Sequence, residues 1–594
     1  MARSVPVCFI AAMRRALLLT LLAGCSSPGT GLSTDLQQVT VAAPLGPSCL
    51  ERCAVAKANC GALVGSCDAC DGGASESVRT CLSMNAAECL ESAACLRPAP
   101  SRPFAAGPYG KGVKDVAGPV GLATPEGRWR LEAQWSGEDS YLFLMRTSGN
   151  GALFSGALKA LLDASPRNVQ YIFGWLSDET GFGQVRTRWT AELANLPAAD
   201  RDHWLPRVHF VETRMDAEGW VGEMMASRLA RPPMYLGNGQ TAFAIDRFQR
   251  IREVGMLGRL GSGGTIPDLR LLAKEAEAFN FEFTREQSLA SRPARVITVA
   301  TTQTAHDTID ADVMLPTAAE LDTYDTLEVD LTMDCPDHLN ANCGAWDYLS
   351  HLHLCSPSTG VDGGAAWACN RELARWITTY WREGRWVTDL SYQLPLLKPG
   401  GLQHLRWTAN GQFDPRRTDY ITSLSLRFST QSRPQRPVAA FPLWTGGRLD
   451  MAYDALHPAH TVDVPADAVK VELVTLLTGH GGVMPTNCAE FCNHEHLFGI
   501  NGVIKRQSFP EATSAAGCSD RVSQGVIPNQ HGTWYFGRGG WCPGLDVAPK
   551  VFDVTAEIRR GQPNTLTYEA RFGGAAITQH LGNIVLSSWL VVWK

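Results

Sequence analysis

The cysteine pattern constrains the fold of this chain more than any other feature of its sequence. The 594 residues include 18 cysteines, and eight of them crowd into residues 49–95. So many cysteines in so short a stretch predict a miniature domain, residues 49–96, that is stapled by four disulfides whose connectivity stays open. The eight are Cys49, Cys53, Cys60, Cys67, Cys70, Cys81, Cys89 and Cys95.

The N-terminus predicts export. Arg14 and Arg15 precede the apolar run 16–22, which is too short to span a bilayer. The small residues before Cys25 resemble a bacterial lipobox, which implies a lipoprotein signal peptide over residues 1–24 and lipidation of Cys25. The chain would then be anchored to the bacterial envelope, at the outer membrane or cell surface, through lipid alone. An ordinary cleaved signal is the alternative, and no later run of 18 apolar residues predicts a transmembrane helix.

Composition narrows the class of protein further. With Cys8 inside the predicted signal and Cys25 lipidated, 16 of the 18 cysteines remain. Export favours disulfides over zinc for this even number. The net charge is -6 and the sequence has no run of basic residues, so nothing in it predicts nucleic-acid binding. The length predicts several domains, with a tether over residues 25–48 and a linker rich in Pro and Gly over residues 97–128.

Residues 129–260 alternate strand-like and helix-like patterns, which predicts an α/β sheet. Residues 241–255 read as two strands joined by a turn and loosely resemble the final hairpin of thioredoxin-like domains. No cysteine lies between Cys95 and Cys335, so thiol redox chemistry is excluded there and a scaffold or docking role is favoured. A helical connector, residues 261–294, follows. The predicted strands are 140–145, 169–175 and 208–211, and the predicted helices are 152–164, 186–196 and 266–286.

From residue 295 onward, short alternating runs are separated by turn residues, which is typical of antiparallel β-sandwiches. A region of about 300 residues fits two jelly rolls, which we place at residues 295–432 and 433–594. The clearest runs are 326–332, 421–428, 468–477 and 565–572.

Four ordered motifs lie in this region. They are C-P followed by C-x-x-W-D at 335–347, E-x-x-R-x-I-T-x-Y-W at 372–381, C-A-E-F-C at 488–492 and R-x-G-W-C-P-G at 538–544. Together they resemble the bacterial peptide-N-glycosidase F family. The resemblance implies two eight-stranded jelly rolls side by side, with an active site in the cleft between them. It also implies hydrolysis of the amide that joins an N-linked glycan to asparagine, with no metal or other cofactor.

The resemblance also implies the site residues. Asp347 and Glu490 fall on the family's catalytic carboxylates, and a carboxylate serves as a base if the cleft raises its pKa. The implied substrate-binding residues are Arg538, Trp541, Trp346 and His480. An Arg fork holds an amide or sugar oxygen, and an indole offers a face for stacking on sugar. Without the resemblance, Asp347 reads as a turn cap beside a disulfide and Arg538 as a solvated side chain.

The family pattern further implies three disulfides, with a fourth expected between the two cysteines left over. The family pairs are Cys335 with Cys343, Cys488 with Cys492 and Cys518 with Cys542, and the remaining pair is Cys355 with Cys369.

Four positions in three segments depart from the family. Thr408-Ala409-Asn410-Gly411 lacks both a third functional glutamate and the tryptophan after it, Tyr348 replaces an arginine, and His480 replaces a cleft tryptophan. These departures leave activity on a different glycan, weak activity or binding without turnover as interpretations.

The leading hypothesis is an exported, lipid-anchored amidase whose partner is an N-linked glycoprotein or glycopeptide. A non-catalytic glycan-binding surface lipoprotein is the alternative. A copper-dependent monooxygenase of the same double jelly-roll architecture is a weaker one, because His351-Leu352-His353 and His494-Glu495-His496 each place two imidazoles on one face of a strand. Histidines without metal are favoured.

Overall fold

The computed structural model describes residues 47–71, 75–84, 88–97, 100–217, 219–230, 241–261, 264–359, 365–409, 418–481 and 487–594. The predicted signal peptide, Cys25 and nearly all of the tether lie outside the described residues. Residues 49–594 form one compact unit. No helix among the described residues is long and apolar enough to cross a membrane.

The N-terminal cysteines staple three short helices, α1 (Cys49–Cys60), α2 (Ser75–Met84) and α3 (Cys89–Cys95). Four disulfides form, as predicted, and together with four more in the C-terminal half they fit an oxidising environment. The N-terminal pairs are Cys49 with Cys70, Cys53 with Cys67, Cys60 with Cys89 and Cys81 with Cys95.

The linker predicted for residues 97–128 is wrong in part. Strand β1 (Gly121–Thr124) pairs with β2 (Gly127–Arg130), and the side chains of Val113, Ala117 and Val120 are buried. The Pro and Gly residues that predicted a linker instead mark turns between packed segments.

A mixed five-stranded sheet follows, in the order β5-β4-β3-β6-β7, with β3, β4 and β5 parallel and the β6–β7 hairpin antiparallel. The predicted α/β sheet and its closing hairpin are confirmed, whereas the thioredoxin-like relationship stays a prediction. Helix α6 begins seven residues before the predicted start, at a turn in which Asp178 caps the N–H of Gly181. The elements are α4 (Leu131–Gln134), β3 (Ser140–Arg146), α5 (Leu158–Ala164), β4 (Val169–Trp175), α6 (Glu179–Ala194), α7 (Ala198–Trp204), β5 (Val208–Phe210), α8 (Gly219–Leu229), β6 (Ala242–Ile245) and β7 (Ile251–Glu253).

The connector holds a hairpin, β8 (Gly258–Gly261) and β9 (Gly264–Pro267), before a long helix, α9 (Leu271–Ser291). The helix predicted over residues 266–286 therefore begins too early. Residues 266 and 267 end β9, and the carboxylate of Asp268 accepts the N–H of Arg270 in the turn that follows. Helix α9 buries Leu272, Glu275 and Phe279 on one face.

The first sandwich packs two four-stranded antiparallel sheets, β10-β17-β12-β15 and β11-β16-β13-β14. Cys335 pairs with Cys343, and Cys355 with Cys369, as predicted. The elements are β10 (Arg295–Ala305), β11 (Thr308–Thr317), α10 (Ala318–Leu321), β12 (Thr326–Asp334), β13 (Leu349–Thr359), β14 (Ala365–Ile377), β15 (Gly384–Asp389), α11 (Leu394–Leu397), β16 (Gly400–Thr408) and β17 (Tyr420–Ser429).

The second sandwich repeats the design with sheets β18-β25-β20-β23 and β19-β24-β21-β22. The predicted antiparallel sandwiches are confirmed, as are the pairs Cys488 with Cys492 and Cys518 with Cys542. The elements are β18 (Pro437–Leu449), β19 (His460–Asp463), β20 (Lys470–His480), α12 (Cys488–Phe491), β21 (His494–Ile500), β22 (Val503–Ser508), β23 (Lys550–Asp553), β24 (Pro563–Phe572) and β25 (Gly582–Trp593).

The two sandwiches share a core-like interface. One apolar cluster contains Trp376 of the first sandwich together with Val474 and Trp589 of the second. Across it, the fully buried Arg375 donates to Thr478 Oγ1 at 2.8 Å, and its charge is balanced by Glu372 at 2.7 Å. Because the interface is both apolar and bridged by charge-assisted hydrogen bonds, the loops at its edge are held in a fixed relation.

Candidate active site

Asp347 lies in a segment that is fastened on both sides. The disulfide between Cys335 and Cys343 closes the loop before it, and β13 begins two residues after it. The hydroxyl of the buried Thr378 accepts the N–H of Tyr348 at 2.7 Å and donates to the carbonyl of Trp346 at 2.7 Å. The peptide groups that flank Asp347 are thus clamped, and its carboxylate has a fixed direction.

Glu490 lies in α12, the short turn that a disulfide closes. Its backbone carbonyl accepts the N–H of Gly539 at 2.7 Å, and its Oε2 accepts the N–H of Gly481 at 3.2 Å. A Cβ on Gly539 would lie 2.6 Å from the carbonyl oxygen of Ala489, so a glycine is needed for this close approach.

Arg538 joins the two acids. Its Nη2 lies 3.9 Å from Asp347 Oδ2, and its Nε lies 3.0 Å from Glu490 Oε1 at an angle outside hydrogen-bond geometry. The guanidinium also donates to the carbonyl of Phe536 at 3.0 Å and to both oxygens of Thr533, at 2.9 and 3.1 Å. The carboxylates of the two sandwiches therefore converge on one fully buried cation.

Burial dominates the electrostatics of both carboxyls. It raises the pKa of Asp347 to about 7, outweighing the attraction of Arg538 and a hydrogen bond with Tyr380. Burial likewise raises the pKa of Glu490, against the attraction of Arg538. Each acid keeps 15% of its side chain exposed, so water reaches both. A carboxyl that titrates near pH 7 in a cleft suits general acid–base chemistry.

Sequence reasoning missed Tyr380 as a site residue, although it lies in one of the four motifs. Its hydroxyl hydrogen bonds with Asp347 and with Thr533, and burial, followed by the charge of Asp347, raises the pKa of Tyr380 above its ordinary value. Its backbone N–H donates to Gln530 Oε1 at 2.9 Å. Its position one residue before the motif's last tryptophan was the available signal.

The predicted aromatic residues differ in exposure. Trp346 is 50% exposed, with its ring 6.3 Å from that of Tyr380, so it offers a face for sugar beside Asp347. Trp541 is 3% exposed, and its Nε1 donates to the carbonyl of Gly479 at 2.7 Å. The stacking role predicted for Trp541 is therefore wrong, because its ring lies inside the apolar cluster between the sandwiches.

The fork role predicted for Arg538 is also wrong in this structure. The side chain is fully buried, and its donors point at protein oxygens. His480 stacks on Trp541 with ring centroids 4.9 Å apart and contacts Thr478 Oγ1 at 2.7 Å. Burial lowers the pKa of His480 to about 3, so the ring is neutral and half-buried beside the site.

The departures from the family pattern have structural counterparts. Ala409, where the family has a glutamate, is fully buried, and its N–H donates to the carbonyl of Asp307 at 2.8 Å. Residues 410 and 411 lie outside the described residues. Tyr348 is half-buried next to Asp347.

The two histidine pairs lie on strands, as predicted, and on one face of each. His494 Nδ1 and His496 Nε2 are 2.7 Å apart, and their other ring nitrogens contact the Ala489 carbonyl and the Tyr568 hydroxyl. All four nitrogens are engaged within a buried network that supports the Glu490 turn, which argues against copper ligation by this pair. His351 of the other pair contacts Glu372 through Nδ1 at 2.7 Å.

A different group has the spacing of metal ligands. The ligand atoms of Asp334, His338 and Glu383 lie within 4.8 Å of one another. However, Lys114 Nζ lies 2.7 Å from Asp334 and 2.8 Å from Glu383, so an ammonium already supplies the positive charge. This group is a salt-bridge cluster between the segment that precedes β1 and the first sandwich.

Comparison with known proteins agrees with the motifs. Residues 450–591 match the family model described as peptide-N-glycosidase F, C terminal. The chain is 25% identical over 271 residues to peptide-N(4)-(N-acetyl-beta-D-glucosaminyl)asparagine amidase F of Elizabethkingia miricola. The matched region covers 43% of this chain and 69% of that protein.

Solved structures match about half of this chain, a share similar to that of the curated relative. PNGase F, described as a glycosylasparaginase from Flavobacterium meningosepticum, matches 50% of this chain and 96% of its own, at 18% identity and a TM-score of 0.37. PNGF-II matches 52% of this chain and 67% of its own, at 13% identity and a TM-score of 0.38. By its motifs, by the family model and by its similarity to the amidase of Elizabethkingia miricola, the C-terminal half of this chain is similar to the peptide-N-glycosidase F family.

Proposed function

We propose that this chain is an exported amidase that hydrolyses the bond between an N-linked glycan and an asparagine side chain. One observation carries the proposal. Asp347 of the first sandwich and Glu490 of the second meet at a single buried guanidinium, while each keeps contact with solvent. The substrate class comes from the name of the relative from Elizabethkingia miricola, an asparagine amidase.

The geometry suggests a division of labour. Ionised Asp347 takes a proton from a water molecule, whose oxygen bonds to the side-chain carbonyl carbon of the glycosylated asparagine. The carbon–nitrogen bond then breaks, the glycosylamine leaves with a proton returned by Asp347, and aspartate remains. Glu490 and the Tyr380 hydroxyl hold the water and the Asp347 carboxylate in line, and Arg538 limits the repulsion between the acids.

The surroundings of the site bear on which glycan the chain prefers. The exposed indole of Trp346 provides a sugar face. The buried Ala409 and the neutral His480 stand where the family has a glutamate and a tryptophan. We therefore propose a glycan preference different from that of the relatives, and attachment of the exported chain to the envelope through a lipid on Cys25.

The test is incubation of the purified chain with denatured glycoproteins and glycopeptides of several glycan classes. The proposal predicts loss of the glycan and the small mass gain of amide-to-acid conversion at each released site. Asp347→Asn should abolish release, and Glu490→Gln should slow it by about 100-fold or more. Glu495 is a half-buried acid on β21 that pairs with Arg506, and Glu495→Gln should release glycan as the wild type does. Absence of release from every glycan class would sink the proposal.

A non-catalytic glycan-binding protein is the second candidate, favoured by the missing carboxylate at Ala409. In that case the wild-type chain binds glycopeptides without changing their mass, and Asp347→Ala leaves the dissociation constant unchanged.

A further inference from the structure

Helix α9 precedes both sandwiches in the chain, yet one of its side chains reaches the loops of the candidate site. Glu275 is 1% exposed. Its Oε1 accepts three hydrogen bonds, from Gly255 N at 2.9 Å, Arg382 Nη1 at 2.7 Å and Asn529 Nδ2 at 2.8 Å. These three hydrogen bonds are charge-assisted and therefore strong, so the Glu275 carboxylate holds the three donor groups firmly in place.

Arg382 connects this point to the first sandwich. It lies two residues after Tyr380, and its guanidinium also donates to the carbonyls of Pro528 at 2.7 Å and Glu253 at 3.1 Å. Its own carbonyl accepts a hydrogen bond from the Thr379 hydroxyl. The segment that carries Tyr380 is thus tied to α9 by one guanidinium.

Asn529 connects the same point to the long loop between β22 and β23 of the second sandwich, which also carries Arg538. The side-chain amide of Asn529 also donates to the carbonyl of Leu271 at 2.8 Å. The backbone carbonyl of Asn529 accepts the N–H of Met256 at 2.7 Å. A Cβ on Gly255 would lie only 2.2 Å from the Asn529 carbonyl oxygen, so the two backbones are in close contact. The next residue, Gln530, accepts the N–H of Tyr380 at 2.9 Å.

We propose that Glu275 is a positioning residue for this site: it locks the Tyr380 and Gln530 segments to each other and to α9. Helix α9 of the connector then has a role in hydrolysis, because it holds in place the segment whose Tyr380 hydroxyl hydrogen bonds with Asp347. The catalytic consequence rests on the proposed amidase function, whereas the structural lock does not.

The physical reason is the cost of leaving the buried Arg382 without its counter-charge. Both side chains of this ion pair are buried. Glu275→Gln keeps the shape of the side chain but removes the negative charge that balances Arg382. The guanidinium must then shift or draw in water, and the Tyr380 segment moves with it. A displacement of about 1 Å at a reacting group reduces turnover by roughly 100-fold.

The experiment compares Glu275→Gln with Glu277→Gln. Glu277 lies on the same helix and pairs with Lys274 rather than with Arg382 or Asn529. Steady-state kinetics of glycan release from a glycopeptide substrate should show that Glu275→Gln lowers kcat by about 10- to 100-fold and leaves KM little changed. The acid limb of its pH profile should move to higher pH, because a looser Tyr380 no longer favours the Asp347 carboxylate. Glu277→Gln should behave as wild type.

A second readout does not depend on activity. Hydrogen exchange at the Tyr380 amide should quicken by at least about tenfold in Glu275→Gln, while exchange in the core strand β25 stays unchanged. Asn529→Gly serves as the second variant, because glycine accepts the left-handed backbone found there (φ 51°) and only the amide link is lost. It should show the same local loosening.

Unchanged exchange, kcat and pH profile in both variants would overturn the inference. Absence of glycan release by the wild-type chain would instead refute the proposed function, and the exchange measurement would still decide whether Glu275 is the lock. Global unfolding of Glu275→Gln leaves Asn529→Gly to decide the question.

Discussion

Replacing Asp347 by asparagine should stabilise the folded chain while removing its chemistry. The carboxyl has a pKa of about 7 in the folded chain against 3.8 when exposed, because burial disfavours its charge. The folded state therefore holds this proton more tightly than the unfolded state does. The contribution of this carboxyl to the free energy of unfolding is therefore fully present below a pH of about 3.8 and is lost as the pH rises towards 7.

The magnitude follows from the two pKa values. Each pH unit between them corresponds to about 1.4 kcal/mol, so the ionised carboxylate lowers the free energy of unfolding by about 4 kcal/mol at pH 8. The side chain is only 15% exposed, so solvent screening takes little from this figure. Asparagine never ionises, and its advantage over aspartate should grow by about 2–3 kcal/mol between pH 5 and pH 8.

The assay is urea unfolding of the wild-type and Asp347→Asn chains at both pH values, with disulfides intact. Asp325→Asn is the matched control of opposite sign. Asp325 accepts the backbone N–H groups of Gln431 and Arg433, which hold its pKa below the ordinary value despite burial. Its removal should destabilise the chain by nearly the same amount at pH 5 and at pH 8, because a lowered pKa confines the change to pH values below about 5. A stability difference for Asp347→Asn that is independent of pH would refute the reasoning.

Three further predictions concern the site. Glu490→Gln should lower kcat by about 100-fold or more while its circular dichroism spectrum stays that of the folded wild type, because in the proposed mechanism Glu490 holds the reacting water; a change confined to KM would contradict this role. Tyr380→Phe should shift the acid limb of the rate profile to higher pH, because the lost hydrogen bond favoured the ionised form of Asp347; an unmoved limb in a pH titration would argue against it. Trp346→Ala should raise KM by about tenfold while kcat stays within twofold, since we propose that its exposed ring stacks on the sugar and takes no part in the bond breaking; a KM that does not depend on the length of the glycan would contradict this role.

The sandwiches and the residues that carry charge at the site were predictable from the sequence. Alternation with period two identified strands such as β12 and β24, and short motifs with cysteines at fixed spacing placed Asp347 and Glu490 at structured loops. A carboxylate next to a closed disulfide loop has few directions available, which is why local sequence was informative there.

Exposure and long-range contacts were not predictable in the same way. The motif containing Trp541 and Arg538 does not reveal that both side chains are buried, because burial depends on the other sandwich. Glu275 gave no signal at all, since its partners Arg382 and Asn529 lie more than 100 residues away in the chain. Such contacts form only when separate elements pack together.

The fate of a glycopeptide in water enriched in oxygen-18 tests the central claim most directly. If Asp347 and Glu490 direct water onto the asparagine carbonyl, the wild-type chain should return a peptide with aspartate that carries one heavy oxygen, and Asp347→Asn should return the substrate unchanged. A product that keeps a sugar on asparagine, or an Asp347→Asn variant that is as active as wild type, would contradict the account.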